Sequence, residues 1–362
     1  MKKLMTIGAI VCLASAAPAS AQLGQLGKRI GQAQDAKKTM DDLTFSDAEE
    51  QQIGSEISAK LREKYGVVQD KAVHRYVSLV GGVLAQASSR PNLKWTFIVL
   101  DTDGVNAFAA PGGFIHITRG AMALIKNEAE LADVLGHEIG HVTAKHTLNA
   151  IQKAGVVSKT SEALPKSEIT KQVVNRAYGA ILENSYDRKD EIEADKLGVT
   201  SANQAGYAPS GLESFLTRLA DRNKDLKDRS GMFASHPEAK ARLDALNKVI
   251  SGSSLKASSL VATRYTQSVS FKPVPVTAVP QGAPAAPAAA AAAPPASSGG
   301  GKLGLGGLSA LGREKSSSDT VSSAGSRGVN PDRDAKGGPV KTLVPVSITA
   351  AEIAEFRKGI TG

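Results

Sequence analysis

The segment Glu128–Val142 reads EAELADVLGHEIGHV, and it decides which fold this chain of 362 residues can adopt. Asn127 stands directly before it, and Asn127 with Glu130 forms a cap pair typical of the start of a helix. Apolar residues then recur at helical spacing between positions 131 and 135. The segment is therefore predicted to be a helix with one apolar face turned toward a protein core.

Two histidines, His137 and His141, lie four residues apart in this helix, and Glu138 follows the first of them. Four residues advance a helix by about 400°, so both imidazoles project from nearly the same face. A pair placed in this way can share one tetrahedral metal ion, and H-E-x-x-H is typical of zinc sites with a glutamate base. We therefore predict one zinc ion per chain, with Glu138 accepting a proton from water.

A third metal ligand is available on a second predicted helix, at Glu191. Asp195 lies four residues further on, so the two carboxylates share one helix face. Glu191 is expected to bind the metal, while Asp195 accepts a hydrogen bond from the far nitrogen of a ligand histidine. Alone, the two carboxylates would merely solvate a helix surface, and the upstream H-E-x-x-H pattern favours the metal site.

The other histidines carry weaker signals. His146 lies nine residues after His137, which on a continuous helix places it on the opposite face, so a structural role is expected. His74 stands among polar residues of a predicted helix and is expected on the surface. His116 alternates within a predicted strand, where a substrate groove and a cross-strand contact are both open. His236 stands just before a proline at the start of a helix.

The first residues predict export from the cytoplasm. Lys2 and Lys3 precede an apolar run, and Ala19-Ser20-Ala21 matches a signal-peptidase site, so residues 1–21 are predicted to be a signal peptide. An uncleaved membrane anchor is the alternative, but the run falls short of the roughly 20 residues needed to span a bilayer. The only cysteine, Cys12, lies within this segment. We expect a periplasmic protein without disulfides.

The charge of the chain does not indicate a nucleic-acid partner. The formal net charge is +9, but aromatic residues make up only 4% and no basic stripe is interleaved with them. Attraction to an anionic lipid surface is a simpler account of this charge. The motifs leave the oligomeric state open.

The fold class predicted from these patterns is α+β, mostly helical with a small β-sheet. Positions 94–101 and 114–118 read as strands, and helical periodicity dominates elsewhere up to residue 252. Beyond it, the sequence PAAPAAAAAAPP and a glycine-rich patch are typical of disorder. The predicted divisions are a signal peptide (1–21), a flexible leader (22–44), a folded domain (45–252), a disordered tail (253–345) and a short amphipathic helix (346–362).

Several pieces of the sequence resemble a family of zinc metallopeptidases. They are NAFAAPGGFIHIT (106–118), EAELADVLGHEIGHV (128–142), DRKDEIEAD (187–195) and SHPEAKAR (235–242), and they occur in the order that the family shows. This family includes the CAAX prenyl proteases, the HtpX proteases, the mitochondrial Oma-type proteases and the soluble periplasmic BepA-type enzymes, which the chain resembles most. The resemblance implies a zincin fold of the gluzincin type.

The resemblance also implies roles for individual residues. Zinc would be bound by His137, His141 and Glu191, with Glu138 as the general base. The strand around residues 113–117 would pair with an extended substrate. His236 would either cap the metal or stabilise the transition state. The residues that the resemblance places along the substrate groove are Asn106, Gly113, Phe114, Ile115, His116 and Arg242.

The function expected from all of this is periplasmic, zinc-dependent endopeptidase activity on unfolded or misassembled exported proteins. The BepA-like members carry a helical-repeat domain after the protease, where this chain has low-complexity sequence, and contact with a membrane or with outer-membrane assembly machinery is a further expectation. One alternative is a chaperone-like binder of extended polypeptides, whose protease site is latent beneath His236. Another is a zinc hydrolase that acts on a compound other than a peptide.

Overall fold

The structure, a computed structural model, describes residues 45–153, 166–183, 186–224, 236, 239–281 and 335–361. Helices dominate this part of the chain, and three short strands form one sheet. The strands are β1 (Thr96–Leu100), β2 (Ala107–Ala110) and β3 (Phe114–Thr118). The α-helices are α1 (Asp47–Tyr65), α2 (Lys71–Ala87), α3 (Arg119–Leu124), α4 (Glu128–Thr143), α5 (His146–Lys153), α6 (Lys166–Glu183), α7 (Arg188–Ala205), α8 (Gly211–Asn223), α9 (Ala239–Gly252), α10 (Ala262–Ser268) and α11 (Ala350–Thr361).

The sheet has the strand order β1-β3-β2. β1 pairs with β3 in parallel, and β2 pairs with β3 in an antiparallel register. His116 of β3 therefore lies opposite Ile98 on one side and opposite Phe108 on the other. Since both edges of β3 are paired, its peptide groups are already used within the sheet.

Helices cover both faces of the sheet, so its strands are buried along nearly their whole length. Successive side chains of a strand point to opposite faces. Val99 and Ile115 accordingly join the core formed with α2 and α4, whereas Ile98 and Phe108 join the core formed with α1 and α6. The predicted α+β class with a small sheet is confirmed.

α4 packs along α7, and this contact positions the two helices that carry the predicted metal ligands. Asn127 accepts a hydrogen bond from the Glu130 amide at the start of α4, as its sequence predicts. The helix ends at Thr143, and Lys145 takes a positive φ of 58° before α5 begins at His146. α4 and α5 are therefore separate helices, and a helical projection from His137 does not extend to His146.

The folded part continues beyond the predicted boundary at residue 252. α10 buries Tyr265, whose hydroxyl donates to the Met122 carbonyl, and the neighbouring Arg264 pairs with Glu128 in the first turn of α4. These contacts are made by single side chains in polar sequence, which is why hydrophobic periodicity does not reveal them. The predicted start of the tail at residue 253 is wrong.

Residues 335–361, here called the C-terminal strap, also belong to the fold. The Lys336 N–H donates to the Pro280 carbonyl at 2.6 Å, and the Val67 N–H donates to the Val340 carbonyl at 2.6 Å. At the end of the strap, α11 packs on α2 and buries Ile353 and Ile360. The predicted tail is therefore also wrong at its far end, because residues 335–345 contact the domain.

His74 provides another correction. Its side chain is 1% exposed, and its Nε2 lies 2.8 Å from the Val68 carbonyl oxygen, so it is a buried residue rather than a surface one. Burial lowers the pKa of this histidine, which favours the neutral ring.

Two of the predicted divisions, and the middle part of a third, fall on positions that the structure does not describe. The signal peptide (1–21), the leader (22–44) and positions 282–334 of the predicted tail lie outside the described residues. Within the described ranges, none of the helices combines the length and the apolar character that crossing a membrane requires.

Candidate metal centre

Four side chains converge at one buried point within the described part of the chain. His137 and His141 come from α4, Glu191 comes from α7, and His236 comes from the segment before α9. One donor atom from each lies within 4.8 Å of all the others. The first three are the ligands predicted from the sequence, and His236 is the residue that the resemblance gives as a cap on the metal or a transition-state donor.

The spacing of these donors fits a zinc ion. Ligand atoms about 2.0–2.1 Å from a tetrahedral zinc ion lie about 3.3 Å from one another. The Nε2 atoms of His137 and His141 are 3.0 Å apart, and His141 Nε2 is 3.4 Å from Glu191 Oε1. His236 Nδ1 lies 3.2 Å from His137 Nε2. Three nitrogens and one carboxylate are also a donor set that suits zinc.

Glu138 is buried beside the cluster and has no hydrogen-bond partner for either carboxylate oxygen among the described residues. The Nε2 atom of His236 lies 3.7 Å from Glu138 Oε1, beyond hydrogen-bond distance. Burial raises the pKa of Glu138 because the charged form loses hydration. A buried carboxylate without a partner is rare in proteins and points to a functional role.

His137 is held from behind by Asp195. Its Nδ1 lies 2.8 Å from Asp195 Oδ1, which leaves Nε2 directed at the cluster. This is the contact that the i, i+4 spacing of Glu191 and Asp195 predicts, and it fixes the tautomer of the ring.

Arg242 joins both carboxylates of α7. Its guanidinium lies 2.6 Å from Asp195 Oδ1 and 2.9 Å from Glu191 Oε2, and it is buried. Burial alone would raise the pKa of Asp195, but the charge of Arg242 outweighs it and holds that pKa well below its usual range. Arg242 therefore belongs to the buried centre and not to a groove wall.

Glu191 and His236 form a coupled pair. His236 Nδ1 lies 2.9 Å from Glu191 Oε1 and 3.1 Å from Oε2. Burial would raise the pKa of Glu191, yet His236 and Arg242 together hold it well below its usual value. The carboxylate is therefore ionised, as a metal ligand requires.

Two further residues of the centre were not predicted from the sequence. The Tyr186 ring stacks on His141 with centroids 4.0 Å apart, and its hydroxyl lies 2.9 Å from Thr147 Oγ1. His146 Nδ1 lies 2.9 Å from His141 Nδ1. A histidine five residues after the second motif histidine was visible in the sequence, but the turn that brings it back was not.

The predicted groove needs a correction. The structure places residues 114–118 in the middle strand, so the prediction that this strand pairs with substrate is wrong. His116 and Ile115 are 0% and 1% exposed, and His116 Nε2 lies 2.9 Å from Ser58 Oγ. Phe114 packs in the core shared with α1, and Gly113 is buried.

Among the described residues, the outer edge of β2 has no partner strand. The Thr118 N–H donates to the Asn106 carbonyl, so the backbone N–H and C=O groups of Asn106 and Phe108 point toward β3. The backbone groups of Ala107 and Ala109 therefore point toward the outer edge. The Asn106 side chain accepts a hydrogen bond from the outward Ala107 N–H at 2.9 Å. β2 therefore has an unpaired edge among the described residues, but Ala107 and Ala109 are only 0% and 2% exposed, so this edge is covered in the structure.

Comparison with known proteins identifies the family. A profile of Peptidase family M48 matches residues 71–250, which run from α2 into α9 and include all four donors of the cluster. The chain belongs to peptidase family M48. The resemblance based on the four sequence pieces is thereby confirmed.

Relatives within this family include bacterial and mitochondrial proteases. The chain is 25% identical over 220 residues to the Beta-barrel assembly-enhancing protease of Escherichia coli K12, and the match covers 57% of this chain and 45% of that protein. It is 26% identical over 220 residues to the protein of that name from Yersinia pestis, with the same coverage. It is 27% identical over 240 residues to the Mitochondrial metalloendopeptidase OMA1 of Arabidopsis thaliana, covering 66% of this chain and 45% of that protein. The matched part spans less than half the length of each of these relatives.

Proposed function

We propose that this chain is a zinc-dependent endopeptidase that acts on unfolded or misassembled exported proteins. The observation that carries the proposal is the buried four-donor cluster with the unpartnered carboxylate of Glu138 beside it. Membership of peptidase family M48 supports the same chemistry.

His137, His141 and Glu191 would hold the zinc ion. When bound, zinc polarises a substrate carbonyl and lowers the pKa of adjacent water. Asp195 and Arg242 would support the ligands, since Asp195 orients His137 and Arg242 holds both carboxylates of α7 in their ionised form.

Glu138 would act as the proton carrier of the reaction. It would accept a proton from the attacking water and deliver it to the leaving amine. Its raised pKa makes it a stronger base than an exposed glutamate, and its lack of a hydrogen-bond partner leaves both oxygens available.

The substrate would pair in an extended conformation with the outer edge of β2, once whatever covers the buried Ala107 and Ala109 has moved aside. Backbone pairing with an edge strand suits a peptide and gives affinity without sequence specificity. Ala109→Pro removes one outward N–H, and because Ala109 is 2% exposed, the variant must first be shown to melt like the parent. We expect Ala109→Pro to raise KM for an unfolded substrate, whereas Ala109→Ser, which keeps the N–H, should behave like the parent.

His236 would cap the metal in the resting enzyme. Its Nδ1 occupies the fourth donor position, and a catalytic zinc site must keep that position open for water. His236→Ala should therefore cleave faster than the parent at fixed zinc. A donor to the developing oxyanion would instead lose on the order of 100-fold in rate, and an unchanged rate would leave His236 a structural residue.

The cleavage test compares the purified protein with Glu138→Gln on casein. We expect one zinc per chain in both proteins, and a loss of at least about 100-fold in cleavage in the variant. Absence of zinc after supplementation, or equal cleavage by both proteins, would refute the proposal.

Export to the periplasm is part of the same proposal. It predicts that the protein fractionates with periplasmic contents and begins at Gln22 after cleavage of the signal peptide. The substrates would then be found by proteomics of the envelope with parent and Glu138→Gln protein. Contact with a membrane or with outer-membrane assembly machinery remains a prediction, which co-sedimentation with anionic vesicles and crosslinking can test.

A second candidate function is chaperone-like binding of extended chains. The four-donor arrangement favours it, because a site closed by His236 would be inactive most of the time. If Glu138→Gln supports the assembly of exported proteins as well as the parent does, binding and not cleavage is the main function.

A further inference from the structure

The ring of His141 has two nitrogens with different surroundings. Its Nε2 faces the other donors of the cluster, 3.0 Å from His137 Nε2. Its Nδ1 faces away from them and lies 2.9 Å from His146 Nδ1. A neutral imidazole that binds a metal through Nε2 carries its proton on Nδ1. That proton can only point at His146, whose Nδ1 must then be the acceptor.

The fold holds His146 in this place by several contacts. The helix α4 stops before it, and the left-handed Lys145 turns the chain so that α5 begins at His146. Lys145 Nζ anchors the turn on Glu50 Oε1 at 2.6 Å, and His146 is 2% exposed. The contact between His146 and His141 is therefore fixed by the surrounding fold and is not a chance contact of two surface rings.

The surroundings of the other ring nitrogen of His146, Nε2, also support Nδ1 as the acceptor. Its Nε2 is buried without a hydrogen-bond partner in the described residues. Two acidic oxygens lie near this Nε2, Glu193 Oε2 at 3.6 Å and Asp190 Oδ1 at 3.9 Å. Acidic groups on that side favour a proton on Nε2, which leaves Nδ1 free to accept.

We propose that His146 is a positioning residue, which sets the tautomer and the orientation of His141 by accepting a hydrogen bond from its Nδ1–H. The inference rests on the proposed zinc site, and it gives His141 the counterpart of what Asp195 provides for His137. Each ligand histidine of the motif would then have its own buried acceptor. Such contacts typically change metal affinity by about 10–100-fold.

Two substitutions separate the hydrogen bond from simple packing. His146→Asn keeps an acceptor, because its Oδ1 branches from Cγ as Nδ1 does, whereas His146→Leu fills the space without an acceptor. His74→Leu is a matched control, since it also removes a buried histidine with a ring nitrogen bonded to a neighbour, but far from the motif in sequence and on a different helix.

The measurement is zinc affinity of the purified full chain by competition with a chromophoric chelator, together with thermal unfolding of the metal-free protein. We expect His146→Leu to bind zinc 10–100-fold more weakly, His146→Asn to recover most of that loss, and His74→Leu to keep the parent's affinity whatever its stability. The visible spectrum of the cobalt-substituted protein should shift in His146→Leu and stay close to the parent's in His146→Asn.

Two results would overturn the inference. One is a zinc affinity of His146→Leu equal to the parent's, and the other is an equal loss in the leucine and asparagine variants. Neither result touches the proposed function, which fails if the parent does not bind zinc or cleaves no faster than Glu138→Gln. If the leucine variant does not fold, the asparagine variant still decides, because a loss as large as 10-fold with an unchanged metal-free unfolding temperature contradicts the proposal.

Discussion

Replacing Ile360 with alanine should destabilise the domain that holds the metal-centre residues, although Ile360 lies in the C-terminal strap. Ile360 is 2% exposed and packs in the same core as α2 and α4. It lies against Gly206 at the end of α7, where an added Cβ would stand 3.0 Å from its Cγ2. Since glycine has no side chain with which to fill a void, the truncated site cannot collapse easily.

The size of the effect follows from this burial. Truncation of a buried isoleucine to alanine costs about 2–5 kcal/mol. One kcal/mol shifts the unfolding temperature of a domain of this size by about 2–4 °C. Ile360→Ala should therefore lower Tm by about 4–20 °C. Val340→Ala is the control in the same strap, since Val340 is 40% exposed and its loss should cost about 0.5 kcal/mol or less.

Circular dichroism melts with saturating zinc give the measurement, and two deletions extend it. A chain that ends at Gln281 lacks the strap and should be strongly destabilised. A variant in which residues 282–334 are replaced by a short Gly-Ser linker keeps the strap. Gln281 and Ala335 form an antiparallel bridge, so the linker can join them without moving either end. This variant should melt at or above the parent's temperature.

The reasoning would be refuted if Ile360→Ala melted within about 1 °C of the parent, which is the shift expected of an exposed position. It would also be refuted if the chain ending at Gln281 were as stable as the linker variant. Either result would mean that the strap rests on the domain without contributing to its stability.

Three further predictions concern the centre and its support. Glu191→Ala should lose zinc on purification, whereas Glu193→Ala should retain it in elemental analysis, because only Glu191 is a member of the donor cluster while the Glu193 side chain is 58% exposed. Burial raises the pKa of Asp133 to about 8, so the folded state prefers its protonated form, and the stability that this group contributes is lost as the pH rises from about 4 through 8. Asp133→Asn keeps an acceptor for the Leu212 N–H and should flatten the pH dependence of the urea midpoint in that range. Removal of zinc with EDTA should lower the free energy of unfolding by about 4 kcal/mol relative to protein in zinc at a thousandfold excess over Kd, as urea unfolding would measure.

The parts of the structure that could be predicted are those encoded locally. The cap at Asn127 and the apolar spacing after it define α4 without any knowledge of the rest of the chain. Glu191 and Asp195 were predictable for the same reason, since a spacing of four residues fixes a shared helix face. The structure brings both carboxylates to the motif histidines, at the distances that those roles require.

The parts that could not be predicted depend on long-range contacts. Strand order is set by which edges meet in the folded chain, so the sequence of residues 114–118 does not reveal that this strand lies between two others. The bridge between Gln281 and Ala335 joins positions separated by 53 intervening residues, 282–334. Composition alone does not reveal that two positions so far apart in the sequence meet in the fold.

His146 shows how a correct geometric rule can fail through a single backbone angle. A projection of nine residues at 100° each places it opposite His137, provided that the helix continues. The chain instead leaves the helix at Ala144 and takes a positive φ at Lys145, a conformation that lysine adopts only a few per cent of the time. Lysine at that position gives no signal of the turn, whereas a glycine would have.

The geometry of the metal centre also depends on residues that carry no chemistry. A Cβ at Gly198 of α7 would stand 2.5 Å from the backbone nitrogen of His137, and one at Gly140 of α4 would stand 2.9 Å from the Ala194 carbonyl oxygen. Any larger side chain at these positions would force α4 and α7 apart. Since the donors from the two helices are only 3.4 Å from one another, a separation of 1 Å would already exceed what one zinc ion can bridge. The small residues at this helix contact therefore set the ligand distances as directly as the ligands do.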